Sequence, residues 1–166
     1  AAIATEFSNF AKLPGTQLQK INLIDIIQSS VNLFERKDGI IRLDIPIEEM
    51  IVMGDKEQAL RIFNNIIKNA IDACKEVTNP TIRISTEVHD ETYVIRISDN
   101  GCGIEEDKKS KIFTPNFTTK STGSGLGLAM VKNIVANFGG KIWFESEVDK
   151  GSTFYLEFKK GIKSED

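Results

Sequence analysis

The sequence predicts an α/β (α+β) fold, a two-layer sandwich of a mixed sheet of about five strands and three helices. Three observations point to it: strand-like runs with period-two alternation, helical segments with one apolar face, and glycines that punctuate their ends. The 166 residues, 40% of them hydrophobic, are enough for one domain with a sizeable core.

Residues 1–13 carry Ile3, Phe7, Phe10 and Ala11 at helical spacing, and Pro14-Gly15 stops the pattern. The expected organisation is the end of a longer helix over 1–14, a polar linker over 15–21, the main domain over 22–160 and a tail over 161–166. Beginning at Ala1 rather than Met, the chain reads as a piece of a longer parent. Asn22 is a plausible N-cap, after which Ile24, Ile27, Val31 and Phe34 mark one apolar helix face. Lys37-Asp38-Gly39 ends that helix. Residues 40–45 alternate as a strand, and 50–53 suggest a short one. A long helix is expected over 55–76. Residues 81–88 and 92–98 alternate and join at His89-Asp90-Glu91 as a hairpin. From 99 to 124 regular pattern fades, apart from a short helix near 107–112. A stretch this long inside a compact domain signals function or disorder. A helix over 126–138 ends at Gly139-Gly140. Strands near 141–147 and 153–158, joined through Lys150-Gly151, close the chain.

Twenty-one basic and 24 acidic side chains leave a net charge of −3, so no basic excess points to nucleic acid. No basic amphipathic stretch points to membrane contact, and no apolar run has the length of a bilayer span. Cys74, Cys102 and the single His89 do not have the spacing of a zinc cluster.

On the helix expected over 55–76, Arg61, Asn65, Lys68, Asn69, Asp72 and Glu76 share one polar stripe. A solvated face is the ordinary reading of such a stripe. Two asparagines at i, i+4 weaken that reading, because Asn is a mediocre helix former and its carbonyl oxygen suits Mg²⁺. Asp99-Asn100-Gly101-Cys102-Gly103-Ile104 follows a strand. It fails as an EF-hand loop and as a Rossmann fingerprint. What remains is a strand-end carboxylate with glycines beyond it, suited to accept a hydrogen bond from an exocyclic amine such as that of adenine. Gly123, Gly125 and Gly127 alternate before the last helix, a pattern that turns N–H groups toward an anion. Lys120 lies close by.

Taken in order, these segments resemble the superfamily of histidine kinases, gyrase-type topoisomerases, chaperone ATPases and mismatch-repair ATPases. Asn65-Ile66-Ile67-Lys68-Asn69-Ala70 looks like its asparagine box and Asp99-Asn100-Gly101-Cys102-Gly103 like its first glycine box. Phe113-Thr114-Pro115-Asn116-Phe117 resembles the phenylalanine box, and Gly123-Ser124-Gly125-Leu126-Gly127-Leu128 the second glycine box. The resemblance implies a Bergerat-type ATP-binding fold with ATP and Mg²⁺ as ligands. Asn69 would hold Mg²⁺, with Asn65 nearby. Asp99 would bind the adenine amino group, supported by Thr153. Gly101 and Gly103 would pass close to the nucleotide, Lys68 and Lys120 would reach phosphates, and the stretch 110–124 would be a lid. Asp72, Ile104 and Thr119 belong to the same nucleotide-contact set, as do Gly123, Ser124, Gly125, Leu126, Gly127 and Leu128.

The hydrolysing members place a glutamate four residues before the magnesium asparagine. Here that residue is Asn65, which cannot act as a general base. This favours a kinase, with Asn65, Lys68 and Lys120 in catalytic roles. Residues 6–14 resemble the end of the second dimerisation helix of histidine kinases, especially nitrogen-regulation-type sensors. The implied partners are the protein's own dimerisation domain, which carries the acceptor histidine, and a response regulator receiver domain. The implied parent is a homodimer, and the implied location of this segment is cytoplasmic. An ATP hydrolase of the same superfamily, an anti-sigma-type serine kinase and a non-catalytic nucleotide-binding module are the alternatives.

Overall fold

A computed structural model describes residues 17–34, 39–115 and 127–162. The helix expected over 1–13 lies outside the described residues. In chain order the elements are β1 (Gln19–Asn22), α1 (Leu23–Phe34), β2 (Ile41–Asp44), β3 (Ile51–Gly54), α2 (Lys56–Ala73), β4 (Ile82–Val88), β5 (Thr92–Asp99), α3 (Glu106–Lys109), α4 (Gly127–Asn137), β6 (Lys141–Glu147) and β7 (Gly151–Lys159).

Five strands form one sheet in the order β2-β4-β5-β7-β6. β2 runs parallel to β4 and the other pairs are antiparallel, so the sheet is mixed as the sequence predicts. A separate two-stranded sheet joins β1 to β3. β1 falls partly in the expected linker. Only Ile21 of its four residues is buried, too little alternation to register as a strand. Gly161, expected in the tail, donates its N–H to the Ile51 carbonyl at 2.8 Å and so closes against β3.

Asn22 ends β1 and caps α1. Its Oδ1 accepts from the N–H of Ile24 at 3.1 Å and of Met50 at 2.9 Å, fixing where helix and β3 meet. α2 starts at a similar device, since Asp55 accepts from the Gln58 N–H at 3.0 Å. The apolar face of α2, with Ile62, Phe63, Ile66, Ile67 and Ala70 buried, is packed by α1, α4 and β5. Each such large side chain contributes about 1.5–3 kcal/mol by leaving water. α2 ends three residues before the expected boundary. The Ala73 carbonyl accepts from the Cys102 N–H at 3.0 Å, so a loop takes the place of a further helical turn.

The opposite sheet face is polar and aromatic. Arg96, Tyr155 and Trp143 share one row across β5, β7 and β6. Trp143 stacks on Tyr155 with centroids 5.3 Å apart, and the Arg96 guanidinium lies over the same tyrosine at 5.8 Å.

Candidate functional site

Along β5, Ile95 and Ile97 point into the core, and period-two alternation puts Asp99 on their face at the strand end. Its Oδ1 accepts from the N–H of Gly101 at 2.9 Å and of Ser152 at 3.3 Å. Burial pushes the Asp99 pKa up, and these two N–H groups offset only part of that rise. The result is a half-buried carboxylate whose accepting capacity faces a strand end.

Asn100 pins the loop after it. Its Oδ1 accepts from the Thr81 N–H at 2.8 Å and the Cys74 thiol at 3.6 Å, and its Nδ2 donates to the Asn79 carbonyl at 2.9 Å. Gly101 has no room for a side chain, because a Cβ would lie 2.5 Å from the Ala73 carbonyl oxygen. Gly103 has φ +74°, and a Cβ there would overlap the Glu147 carbonyl. Both glycines therefore have a reason within the protein: the loop is threaded between the end of α2 and the β6–β7 turn. The Asp149 N–H, donating to the Cys102 carbonyl at 2.9 Å, closes that passage.

Thr153 is not beside Asp99. It pairs with Ser98, hydroxyl to hydroxyl at 2.8 Å, on the opposite face of the sheet. The register partner of Asp99 is Ser152, which is buried. Parity shows why: Ser152 alternates in step with Phe154, Leu156 and Phe158, the core-facing side chains of β7. Sequence reasoning also missed Ser146, whose hydroxyl contacts the Ile104 N–H at 2.8 Å and the Ser152 hydroxyl at 2.7 Å.

On α2, Asn65 and Asn69 are half-buried, as is Asp72, while Lys68 is exposed. Asn65 donates from Nδ2 to the Arg61 carbonyl at 2.8 Å. That fixes its Oδ1 against the start of α4, where a Cβ on Gly127 would lie 2.5 Å from it. Asp72 approaches Lys75 at 3.5 Å. Leu128 and Ile104 pack on the core edge. Phe113 meets Phe144 edge-on at 5.8 Å, with the Lys132 ammonium over its ring. The structure thus sets the polar stripe of α2 between two elements: the Asp99 loop at Ala73 and the start of α4 at Asn65. Thr119, Lys120, Gly123, Ser124, Gly125 and Leu126 lie outside the described residues, as does most of the expected lid. A depression of about 330 Å³ lined by Ile24, Leu43 and Ile45 sits at the other sheet edge and holds none of these side chains.

A family model of histidine kinase-, DNA gyrase B- and HSP90-like ATPases matches residues 54–162, from the start of α2 to beyond β7. The chain belongs to this family. Sensor histidine kinase ZraS of Salmonella typhi is 34% identical over 158 residues, covering 93% of this chain and 34% of that protein. C4-dicarboxylate transport sensor protein DctB of Rhizobium meliloti is 30% identical over 163 residues, covering 96% and 26%. The catalytic domain of histidine kinase ThkA superposes with a TM-score of 0.76 at 33% identity, covering 87% of this chain and 97% of that one. Within the family the chain is therefore a histidine kinase catalytic domain with an ATP-using fold. It spans about a third of ZraS and about a quarter of DctB. No helix of the kinase domain, among the described residues, is long and apolar enough to cross a membrane.

Proposed function

We propose that this domain, within a longer homodimeric parent, transfers the γ-phosphoryl group of ATP to a histidine on the parent's dimerisation domain. Residues 1–14 are then the end of the second dimerisation helix, and 22–160 the catalytic unit. The phosphoryl group passes on to an aspartate of a response regulator receiver domain. The relative ThkA has been solved in complex with the response regulator TrrA, which supports such a partner here. The domain works on the cytoplasmic side.

The observation that carries this reading is Asn65. It stands where a hydrolase needs a carboxylate to activate water, its Nδ2 donates to the Arg61 carbonyl, and its Oδ1 lies against the start of α4. A carboxamide takes no proton from water. ATP is therefore kept for a side-chain nucleophile, and catalysis comes from positioning and charge neutralisation.

Asp99 accepts from the adenine amino group, with Gly101, Gly103 and Ile104 forming the backbone wall of that pocket. Lys68 and Lys120 reach the phosphates, and the backbone of Gly123, Ser124, Gly125, Leu126, Gly127 and Leu128 surrounds them, with Asp72 and Thr119 completing the set. Among the described residues no three His, Cys, Asp or Glu side chains gather as a metal cage. The carboxamides of Asn65 and Asn69 and the nearby carboxylate of Asp72 on α2 fit a cation that takes few protein ligands and keeps its phosphate and water oxygens, as Mg²⁺ does. Asn69 would hold it, and a bound Mg²⁺ would neutralise charge on the phosphates.

The test is calorimetric titration with ATP, with and without Mg²⁺, beside an assay of phosphate release and one of phosphorylation of a supplied dimerisation domain. Binding with negligible release and labelling of a histidine is the expected result. Steady release without labelling would move the domain to the hydrolase branch.

A further inference from the structure

The chain's two cysteines meet across a backbone hydrogen bond. The Cys102 N–H donates to the Ala73 carbonyl at 3.0 Å, and the residue after Ala73 is Cys74. Standard backbone dimensions around that contact put the two Cα atoms within roughly 7 Å, where a disulfide comes within reach. Both are free thiols, Cys74 buried at the end of α2 and Cys102 exposed. The Cys74 thiol contacts Asn100 Oδ1 at 3.6 Å, and the Cys102 thiol contacts the Gly103 carbonyl at 3.5 Å. Burial raises the Cys74 pKa most, and Asp99 and Cys102 both lie near enough to raise it further. A buried cysteine is ordinarily inert packing. This one differs in having an exposed second thiol one backbone hydrogen bond away, on the loop that begins at Asp99. Neither thiol has a part in the phosphoryl transfer proposed above.

We propose that Cys74 and Cys102 form a peroxide-responsive pair, whose disulfide lowers nucleotide affinity. Cys102, being exposed, meets the oxidant first. Its sulfur attacks one oxygen of hydrogen peroxide, the O–O bond breaks, and a sulfenic acid and one water result. The Cys74 sulfur then attacks the Cys102 sulfur. The S–O bond breaks, and the hydroxyl leaves as a second water with the Cys74 proton. The two thiols lose two electrons in all, and one peroxide gains them. To link, Cys74 leaves Asn100, whose other bonds hold Thr81 and Asn79. Cys102 turns inward between Gly101 and Gly103, two positions with no space for a Cβ. A loop packed this closely passes the movement back to Asp99. The effect on affinity, though not the disulfide itself, rests on the reading of Asp99 as the adenine acceptor. In a reducing compartment such a bond is transient, as suits a sensor.

The experiment treats the reduced chain with hydrogen peroxide, blocks the remaining thiols with iodoacetamide and reads the masses of the intact chain and its peptides. Calorimetry with ATP follows before oxidation, after it, and after dithiothreitol. The expected result is a bond within one chain joining the Cys74 and Cys102 peptides, ATP affinity lower by about tenfold, the scale of one lost hydrogen bond to a charged group, and recovery with dithiothreitol. Cys74→Ser and Cys102→Ser, each checked for folding by a thermal melt, form no such bond, and Cys102→Ser keeps its own affinity through the peroxide treatment. Four results overturn the proposal: both thiols still free, Cys102 carried on to a sulfinic acid with Cys74 free, a bond only between two chains, or a disulfide that leaves ATP affinity unchanged where Asp99→Asn reduces it. If Asp99→Asn binds ATP like wild type, the adenine reading fails instead, and the peptide masses still decide whether the pair forms.

Discussion

Asp99→Asn exchanges one oxygen of a half-buried carboxylate for an amide nitrogen and removes its charge. Both backbone N–H groups that hold the side chain donate to a single oxygen, Oδ1. An asparagine can keep both with its own Oδ1, so the loop from Gly101 and the start of β7 stay in place. What changes is the second position, where an acceptor becomes a donor facing a donor. A hydrogen bond to a charged acceptor contributes about 1.5–3 kcal/mol, so its loss weakens ATP binding by roughly 10- to 150-fold. Stability moves the other way. The folded Asp99 pKa lies above its unfolded value, so its contribution to stability is fully present at acid pH and is lost as pH rises through the raised pKa. At neutral pH the ionised group therefore works against the fold, and the asparagine variant melts at the same temperature as wild type or higher. Calorimetry and a thermal melt at pH 7 read both effects. Wild-type ATP affinity in a folded variant, or a variant that unfolds outright, refutes the reasoning.

The pH dependence follows from the same group: as pH falls, wild-type nucleotide affinity drops earlier than an ordinary carboxylate allows. Subtracting the Asp99→Asn profile, which shares the titration of the nucleotide phosphates, isolates that drop. Gly127→Ala drives a methyl into Asn65 Oδ1. The alanine raises helix propensity by up to about 1 kcal/mol, so melting changes little while nucleotide affinity, read by calorimetry, falls. Gly151→Ala meets φ +121° and an overlap with the Asp99 carbonyl, so urea denaturation should show a loss of at least about 2 kcal/mol. Asn69→Ala should flatten the magnesium dependence of ATP binding; an unchanged magnesium titration counts against its proposed role.

Period alone made most of this fold readable. The apolar face of α2 and the alternation of β4, β5 and β7 lie close to where the sequence predicts them, because each repeats often enough to stand above noise. β1 escaped because one buried residue in four makes no period. The stop of α2 at Ala73 was invisible because its cause, the Cys102 N–H, lies 29 residues downstream in the chain. The candidate site was read from its motif residues, Asp99, Asn65 and Asn69, and its nucleotide roles remain the proposal above. The misplaced Thr153 shows the limit of reading motifs without parity. Counting by twos back from Phe158 puts Ser152, not Thr153, on the core face. Ser146 carried no motif at all, since its meaning comes from three hydrogen bonds that exist only after β6 and β7 pair.

The stacked Trp143–Tyr155 pair has an optical consequence. Trp143 is the chain's single tryptophan, and it sits on the sheet face turned away from Asp99. Its emission is set by the tyrosine ring, the nearby guanidinium and solvent, none of which borders the proposed adenine pocket at Asp99. Intrinsic fluorescence will therefore report loss of the β6–β7 pairing in a denaturant series and stay nearly silent when a nucleotide enters. Unfolding curves read by fluorescence can be compared with and without ATP without correction for a bound-state signal, whereas binding itself needs heat or a labelled nucleotide to be seen.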